Sequence, residues 1–328
     1  MPAPSPSRAA SAVPTGRPAR AAPPLIVIAG PTATGKTGLS LRLAAALAGE
    51  GTPAEIISAD SRQVYRGLDI GTAKVGREER RAVPHHGLDL VEADEPFSVA
   101  DFTRHARDVL EAIAARGGVA ILAGGTGLYL RAVGRGLPTD ELPSDAATRA
   151  AVEADLARDG VAAAAARLTE LAPGLAARTD LRNPRRVGRA LEIALLRGDG
   201  PLPELAGYAG PSTWLGLDME PAALRNRIAR RAREQFEAGL VEEAAALRRR
   251  FDPGLPAFSA IGYREAWSII DGELTLEAAI ELDAQRNQAF ARRQRTWFRS
   301  EPGIDWLDGA GDALPAALDA VRRLIDAA

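Results

Sequence analysis

Residues 29–40 read AGPTATGKTGLS and constrain the fold more than any other stretch of the chain. The apolar run LIVI precedes them and a segment with helical periodicity follows, so the stretch connects a strand to a helix. Gly30, Gly35, Lys36 and Thr37 fit the spacing G-x-x-x-x-G-K-[ST] of a phosphate-binding loop, or P-loop, in the context that this motif requires. The motif predicts a di- or triphosphate ligand and leaves its identity open.

We expect the whole loop to surround the phosphates, because backbone N–H groups and a helix N-terminus bind phosphate oxygens. Its residues are Gly30, Pro31, Thr32, Ala33, Thr34, Gly35, Lys36 and Thr37. Lys36 adds a point charge, and the Thr37 hydroxyl is expected to bind Mg²⁺. Lys36 and Lys74 are the only lysines in an otherwise arginine-based set of cations. Arginine clusters are therefore a weaker indication of function in this chain than a lysine in the loop.

The composition is that of an ordinary globular protein. The chain has 328 residues, of which 46% are hydrophobic and 26% charged, and its net charge is −2. A surface for nucleic acid must therefore be a local patch. The chain has no cysteine, which excludes disulfides and thiolate metal sites, and we find no run of 18 apolar residues that would predict a membrane span. We expect a cytoplasmic protein and, since no exposed apolar stripe stands out, a monomer.

The apolar runs predict an α/β fold. Three of them are typical of buried strands: LIVIAG at 25–30, EIISAD at 55–60 and GVAILAGG at 118–125. Helical patterns at 38–48 and 98–116 separate these strands. Strands that alternate with helices predict a parallel sheet with crossover helices.

After Gly136 the composition of the chain changes, and the alternation of predicted strands and helices stops. The segment TWLGLDME at 213–220 predicts one more strand, followed by a long helix from Pro221 whose apolar stripe continues to Leu247. Residues 198–212 are rich in Gly and Pro and predict a linker. We therefore expect four segments: a disordered extension or basic RNA-binding arm at 1–24, a P-loop α/β core at 25–139, a mostly helical insertion at 140–212, and the rest of the core with C-terminal helices at 213–328.

The acidic residues at the strand ends bear on the reaction. A hydrolytic NTPase usually has an apolar strand that ends in Asp, but the third predicted strand ends in Gly124, Gly125 and Thr126. Asp60 instead follows the second strand, and the carboxyl ends of parallel strands line the ligand crevice. This carboxylate can hold a metal through water or act as a base.

At this point the chain resembles a known family, the tRNA dimethylallyltransferases. The resemblance runs from about Leu25 to Trp306, and its motifs occur in the family's order: GPTATGKT, SADSRQVYRGLDIGTAK, VPHHGLDL, FSVADF, LAGGTGLYLRAV, NPRRVGRALE, AIGYRE and RRQRTWF. It implies transfer of a dimethylallyl group from its diphosphate to N6 of the adenine beside the tRNA anticodon. It also implies that the P-loop holds the pyrophosphate that leaves.

The resemblance assigns roles to individual residues. Asp60 matches the family's base, Thr126 matches a residue that lines the reaction channel, and Lys36 with Mg²⁺ would stabilise the leaving pyrophosphate. Segments that match tRNA-contacting parts of the family contain Asp60, Ser61, Arg62, Gln63, Val64, Arg149, Arg185, Arg186, Arg189, Tyr263, Arg264, Arg292, Arg293, Arg295, Trp297 and Arg299. The arginines could instead form a solvated helix face, and Trp297 or Phe298 could belong to the core.

Three other functions stay open on sequence grounds. An adenylate isopentenyltransferase shares the P-loop and the base, although it has little use for the insertion and the arginine–aromatic segments. A P-loop kinase or NTPase is disfavoured by the missing strand-end Asp, and an RNA-binding module would not need Lys36, Thr37 and Asp60. The zinc finger that some relatives carry is not expected here, since the chain has no Cys and no late His.

Overall fold

A six-stranded parallel sheet forms the centre of the molecule, in the order β3-β2-β4-β1-β5-β6. The computed structural model describes residues 22–139 and 141–326. The strands are β1 (Leu25–Ala29), β2 (Ala54–Ser58), β3 (His85–His86), β4 (Val119–Ala123), β5 (Ser212–Asp218) and β6 (Asp305–Asp308). The four longest correspond to the four predicted apolar runs, and every residue of β1 is fully buried, as expected for a parallel sheet that is covered on both faces. The predicted α/β fold is confirmed.

The sequence did not predict the two edge strands. Strand β3 has only two residues, and β6 has the sequence DWLD with mostly exposed side chains. Neither forms an apolar run of the kind that indicates a buried strand. Their pairing depends on the neighbouring strands β2 and β5.

Twelve α-helices surround the sheet in the described part of the chain. They are α1 (Lys36–Gly49), α2 (Arg77–Ala82), α3 (Val99–Ala115), α4 (Gly127–Gly134), α5 (Ala146–Leu171), α6 (Pro173–Ala176), α7 (Pro184–Arg197), α8 (Pro221–Glu237), α9 (Leu240–Arg248), α10 (Tyr263–Ile270), α11 (Leu276–Arg299) and α12 (Leu314–Asp326). Helix α3 begins with a serine cap: the Asp101 amide donates to Ser98 Oγ, and the Ser98 amide donates to Asp101 Oδ2. None of the described helices is both long and apolar enough to cross a membrane.

The predicted long helix from Pro221 is two helices rather than one. Helices α8 and α9 are separated at Gly239, whose φ of +102° is incompatible with a continuing right-handed helix. The apolar stripe continues across this break because Leu240 and Leu247 are still buried in the same core as Leu224. The predicted apolar stripe is therefore confirmed, and the prediction of a single continuous helix is wrong.

Two layers cover the sheet. Helices α1 and α12 pack on one face, and helices α3, α4 and α8–α11 form the larger layer on the other. Helices α5–α7 bury a separate apolar cluster, which includes Val152, Leu168 and Leu191. The chain leaves the core for these helices near Gly136 and returns beside it, because the Gly207 amide donates to Arg135 O at 3.1 Å.

Candidate active site

Three loops meet where the parallel strands end. The P-loop follows β1, Asp60 follows β2, and Gly124–Thr126 follow β4. Two of these glycines are needed for close packing: a Cβ on Gly30 would lie 2.3 Å from Leu217 O, and one on Gly124 would lie 2.1 Å from Ala59 O. Glycine therefore lets the loops approach each other so that their polar groups share one crevice.

The P-loop wraps around the first turn of α1. Gly30, Ala33 and Gly35 have φ values of +140°, +62° and +100°, which bend the backbone around a concave centre. The Thr34 hydroxyl and Lys36 Nζ both donate to Pro31 O, at 2.9 and 2.6 Å. The loop is thus closed by its own side chains and presents the N-terminus of α1, the position at which helices bind anions.

Lys36 lies in an unusual electrostatic environment. Burial, with a smaller contribution from the nearby Arg231 guanidinium, lowers the pKa of its ammonium group to about 7, while Asp60 opposes the shift. An anion in the loop would reverse this effect, because a negative charge favours the protonated amine. The loop is therefore prepared for a ligand with strong negative charge.

Asp60 is held in place by the turn that follows it. Its Oδ1 accepts from the Arg62 amide at 2.8 Å, and its second carboxylate oxygen has no hydrogen-bond partner within the described residues. Thr126 Oγ1 accepts from the Ser61 amide at 3.0 Å, which links the ends of β2 and β4. The structure thus brings together Asp60, Ser61 and Thr126, and leaves one oxygen of Asp60 free to accept a proton.

Two adjoining cavities meet at Asp60. The smaller, of about 120 Å³, is the diphosphate-side cavity; it contains Lys36, Thr37, Gln63 and Arg231. The larger, of about 370 Å³, is the acceptor-side cavity; its lining residues are Asp60, Ser61, Arg62, Gly71, Thr72, Gly125, Thr126, Arg185, Ser259, Ala260, Ile261, Asn287, Phe290 and Arg293. Asp60, Gly125 and Phe290 line both. A group held in one cavity can therefore react with a group held in the other, beside the carboxylate.

Two polar residues of this site escaped the sequence analysis. Arg231 of α8 donates to Thr32 Oγ1 at 3.1 Å. Gln294 of α11 is almost fully buried; its Oε1 accepts from the Thr32 amide and its Nε2 donates to Gly125 O, both at 2.8 Å. Gln294 lies within the quoted motif RRQRTWF, so that motif was its only signal in the sequence.

Some of the predicted tRNA contacts are exposed and others are not. Arg185 and Arg293 line the acceptor-side cavity, while Arg264 and Arg292 are exposed beyond it. Arg186 is also exposed, with Asp180 at 3.7 Å. These five residues are defined here as the arginine face. Their positions leave their guanidinium groups accessible to phosphates.

Four other arginines of the prediction make contacts within the protein. Arg149 and Arg189 both pair with the buried Glu192, at 3.1 and 2.7 Å. Arg295 and Arg299 pair with Asp218 at the end of β5. Each of these ion pairs would have to open or be shared if the arginine contacted RNA.

The structure corrects the prediction for Tyr263 and Val64, while Trp297 stays partly accessible. Tyr263 is completely buried and its hydroxyl donates to Glu243 at 2.7 Å, so its ring has no surface on which a base could stack. Val64 is likewise fully buried. Trp297 is half-buried against Gly127, with the Arg131 guanidinium 4.7 Å from its ring centre. Tyr263 and Val64 therefore support the site from the core.

Comparisons with known proteins agree with this geometry. The IPP transferase family matches residues 63–301. A tRNA dimethylallyltransferase of Salinispora arenicola is 44% identical over 92% of this chain and 87% of its own, and one of Anaeromyxobacter sp. strain K is 46% identical over 92% and 96%.

Solved structures are similar over almost the whole chain. The full-length tRNA isopentenylpyrophosphate transferase of Bacillus halodurans has a TM-score of 0.66 and 38% identity, and covers 92% of this chain and 95% of its own. A eukaryotic dimethylallyltransferase, described as acting on tRNA, has a TM-score of 0.70 and 26% identity over 92% and 78%. The chain belongs to the IPP transferase family.

Proposed function

We propose that this protein transfers a dimethylallyl group from dimethylallyl diphosphate to N6 of the adenine adjacent to the anticodon in tRNA and releases pyrophosphate. The observation that carries the proposal is Asp60 at the junction of two cavities, one of which is bounded by the P-loop. The relatives described as tRNA dimethylallyltransferases support the choice of both substrates.

Asp60 supplies the base that the reaction needs. An adenine amine is a weak nucleophile because its lone pair is delocalised into the ring. As N6 forms its bond to the allylic carbon, the carbon–oxygen bond to the diphosphate breaks and its electron pair leaves with pyrophosphate. The N6 proton passes to the free carboxylate oxygen of Asp60.

The P-loop stabilises the charge that develops on the leaving group. Loop amides, Lys36 and Arg231 surround the diphosphate-side cavity and are in place before the reaction. Phe290 lines both cavities and Thr126 lines the acceptor-side cavity, so the transferred group would pass beside them. Gly30–Thr37 thus form the diphosphate site, with Lys36 and Thr126 as catalytic partners of Asp60.

Mg²⁺ is the cofactor that fits these residues. No group of three or more His, Asp or Glu side chains in the described ranges could hold a metal ion. Mg²⁺ does not need such a group, since it commonly binds substrate phosphates with few protein ligands and several waters. The exposed Thr37 hydroxyl would hold it, and its charge would neutralise the diphosphate.

The tRNA would bind across the acceptor-side cavity. Flipping a base costs least in a single-stranded loop such as an anticodon loop. Ser61 and Arg62 line the cavity that such a base would enter, Gln63 lines the adjoining diphosphate-side cavity, and the arginine face would contact the phosphates around the base. We propose that the enzyme acts in the cytoplasm as a monomer.

Label transfer from dimethylallyl diphosphate tests the proposal. The reaction contains unmodified tRNA, Mg²⁺ and AMP as a competing acceptor, with a parallel assay of ATP hydrolysis. Label on tRNA alone supports the proposal. Label on AMP would make the protein an adenylate isopentenyltransferase, and ATP turnover without label would make it an NTPase.

A further inference from the structure

A buried carboxylate lies behind the acceptor-side cavity. Asp283 of α11 is 1% exposed, and one turn later the same helix carries Asn287, which lines the cavity. Asn287 Nδ2 donates to Asp283 Oδ1 at 2.8 Å and to Asp283 O at 3.2 Å. Burial of a carboxylate is costly unless its oxygens are satisfied, so Asp283 and Asn287 stabilise each other.

These contacts determine which way the Asn287 amide points. A side-chain amide has two N–H donors on nitrogen and an acceptor oxygen. The Asn287 nitrogen already donates to the carboxylate Oδ1 and to the backbone carbonyl oxygen of Asp283. The reversed orientation would place the amide oxygen of Asn287 against these two acceptors. Asn287 Oδ1 has no donor among residues 22–139 and 141–326. A residue that lines the acceptor-side cavity therefore carries an acceptor oxygen with no partner in the described protein and with a fixed orientation.

Neighbouring charges act on Asp283 in opposite directions: burial and the nearby Glu265 carboxylate raise the pKa of Asp283 to about 6, whereas Arg231 and Arg286 oppose the shift. Glu265, also 1% exposed, accepts from the Gly262 amide at 3.0 Å and pairs with Arg286 at 2.6 Å. Arg231 attracts Asp283 from the diphosphate side. The restraint on the Asn287 amide is therefore its own pair of hydrogen bonds to Asp283, which needs no ligand in the cavity.

We propose that Asn287 is a specificity-determining residue whose Oδ1 accepts a hydrogen bond from the exocyclic amine of the acceptor base, and that Asp283 is its positioning residue. The inference rests on the proposed function. The adenine amine has two N–H groups, one of which is directed to Asp60 while the other reaches Asn287. A base with a carbonyl at that position would meet two acceptors and be rejected.

The test compares two acceptor stem-loops, one with adenine and one with N6-methyladenine at the reacting position. N6-methyladenine keeps one N–H for Asp60 and has none for Asn287. We expect Asn287→Ala to lower kcat for adenine roughly three- to tenfold, the usual value of one hydrogen bond, and to leave KM for dimethylallyl diphosphate unchanged. The preference for adenine over N6-methyladenine should fall by the same factor.

Two further variants separate hydrogen bonding from shape and from folding. Asn287→Leu fills the same space without an acceptor and should lose the preference as Asn287→Ala does, whereas recovery in Asn287→Leu would assign the effect to packing. Asp283→Asn should weaken the preference because the Asn287 amide can then turn. Gln288→Ala, on the same helix but outside the cavity lining, is the matched control and should keep the preference.

The outcomes distinguish this inference from the proposed function. If the unaltered enzyme transfers label to adenine and the preference is the same in Asn287→Ala, the role of Asn287 is wrong and the proposed function stands. If the unaltered enzyme transfers no label to either stem-loop, the proposed function itself is wrong.

Discussion

At the residue scale, the site depends on Asp60 and Lys36. One carboxylate oxygen of Asp60 has no partner in the described protein, and the pKa of Lys36 is lowered. Asp60 could be identified from the sequence because its position after a strand places it in the crevice without knowledge of the rest of the fold. Arg231 could not be identified, because its contact with Thr32 joins positions 199 residues apart. Only the packing of α8 against the P-loop brings these residues together.

Replacement of Asp60 tests the assignment of the base. Asp60→Ala should lower kcat by about 10²–10⁴-fold, the usual contribution of a general base. Its tRNA Kd should change little, since the arginine face stays intact. Single-turnover label transfer and filter binding measure the two quantities, and wild-type turnover in this variant would falsify the role of Asp60.

The pKa of Lys36 predicts a linkage between diphosphate binding and protons. With a pKa of about 7 in the free enzyme, Lys36 is largely neutral at pH 8, and a bound diphosphate should return its proton. Binding at pH 8 should therefore take up close to one proton and weaken as the pH rises above 7. Calorimetry in buffers of different ionisation enthalpy measures this uptake. Lys36→Met should abolish the part of it that comes from Lys36; equal uptake in both proteins would contradict the prediction.

At the scale of helices and strands, α11 joins the parts of the site. Gln294 connects the P-loop to the end of β4, Asn287 and Phe290 line the acceptor-side cavity, and Arg295 reaches Asp218 on β5. The sequence indicated this helix through its arginines and aromatics and attributed them to RNA contact. Of these side chains, Arg295 and Arg299 pair with Asp218 within the protein, and which residues do so depends on the face of α11 that packs on the core.

Loss of the Gln294 contacts should affect stability and substrate binding together. Gln294→Leu leaves the Thr32 amide and Gly125 O without their partner, at a cost of about 1–3 kcal/mol. We expect a lower urea midpoint and a higher KM for dimethylallyl diphosphate, because the P-loop loses its outer support. Thr296→Ala, on the exposed side of the same helix, serves as the control, and an unchanged KM in Gln294→Leu would show that the P-loop keeps its shape alone.

At the scale of the whole molecule, RNA binding must come from local charge, because the net charge is −2. The four paired arginines contribute less to it than free arginines would, since Glu192 and Asp218 offset half of their charge. The predicted segments at 25–139, 140–212 and 213–328 remain a proposal for the domain organisation, and residues 1–21 of the predicted extension lie outside the described structure. The separate apolar cluster of α5–α7 supports the insertion as a folding unit.

The salt dependence of tRNA binding measures the arginine face. Five phosphate contacts to a single-stranded loop predict a slope of roughly −3.5 in a plot of log K against log salt. Arg292→Ala should reduce this slope by about 0.7. Arg322→Ala removes an arginine of α12 that pairs with Glu50 and should not change the slope. Equal slopes in the unaltered protein, Arg292→Ala and Arg322→Ala would exclude Arg292 from the phosphate contacts.

The two ends of the insertion lie side by side, joined by the hydrogen bond from the Gly207 amide to Arg135 O. This arrangement bears on how members of such a family can gain or lose the insertion. Because the chain departs and returns at one place, a short turn could replace α5–α7 without interrupting any strand of the sheet. What would remain is the P-loop, Asp60 and the sheet between them, a minimal catalyst with a more open acceptor side. Arg185 and Arg186 would be lost with the insertion, whereas Arg264, Arg292 and Arg293 on α10 and α11 would remain, so only a part of the RNA surface is separable from the catalyst.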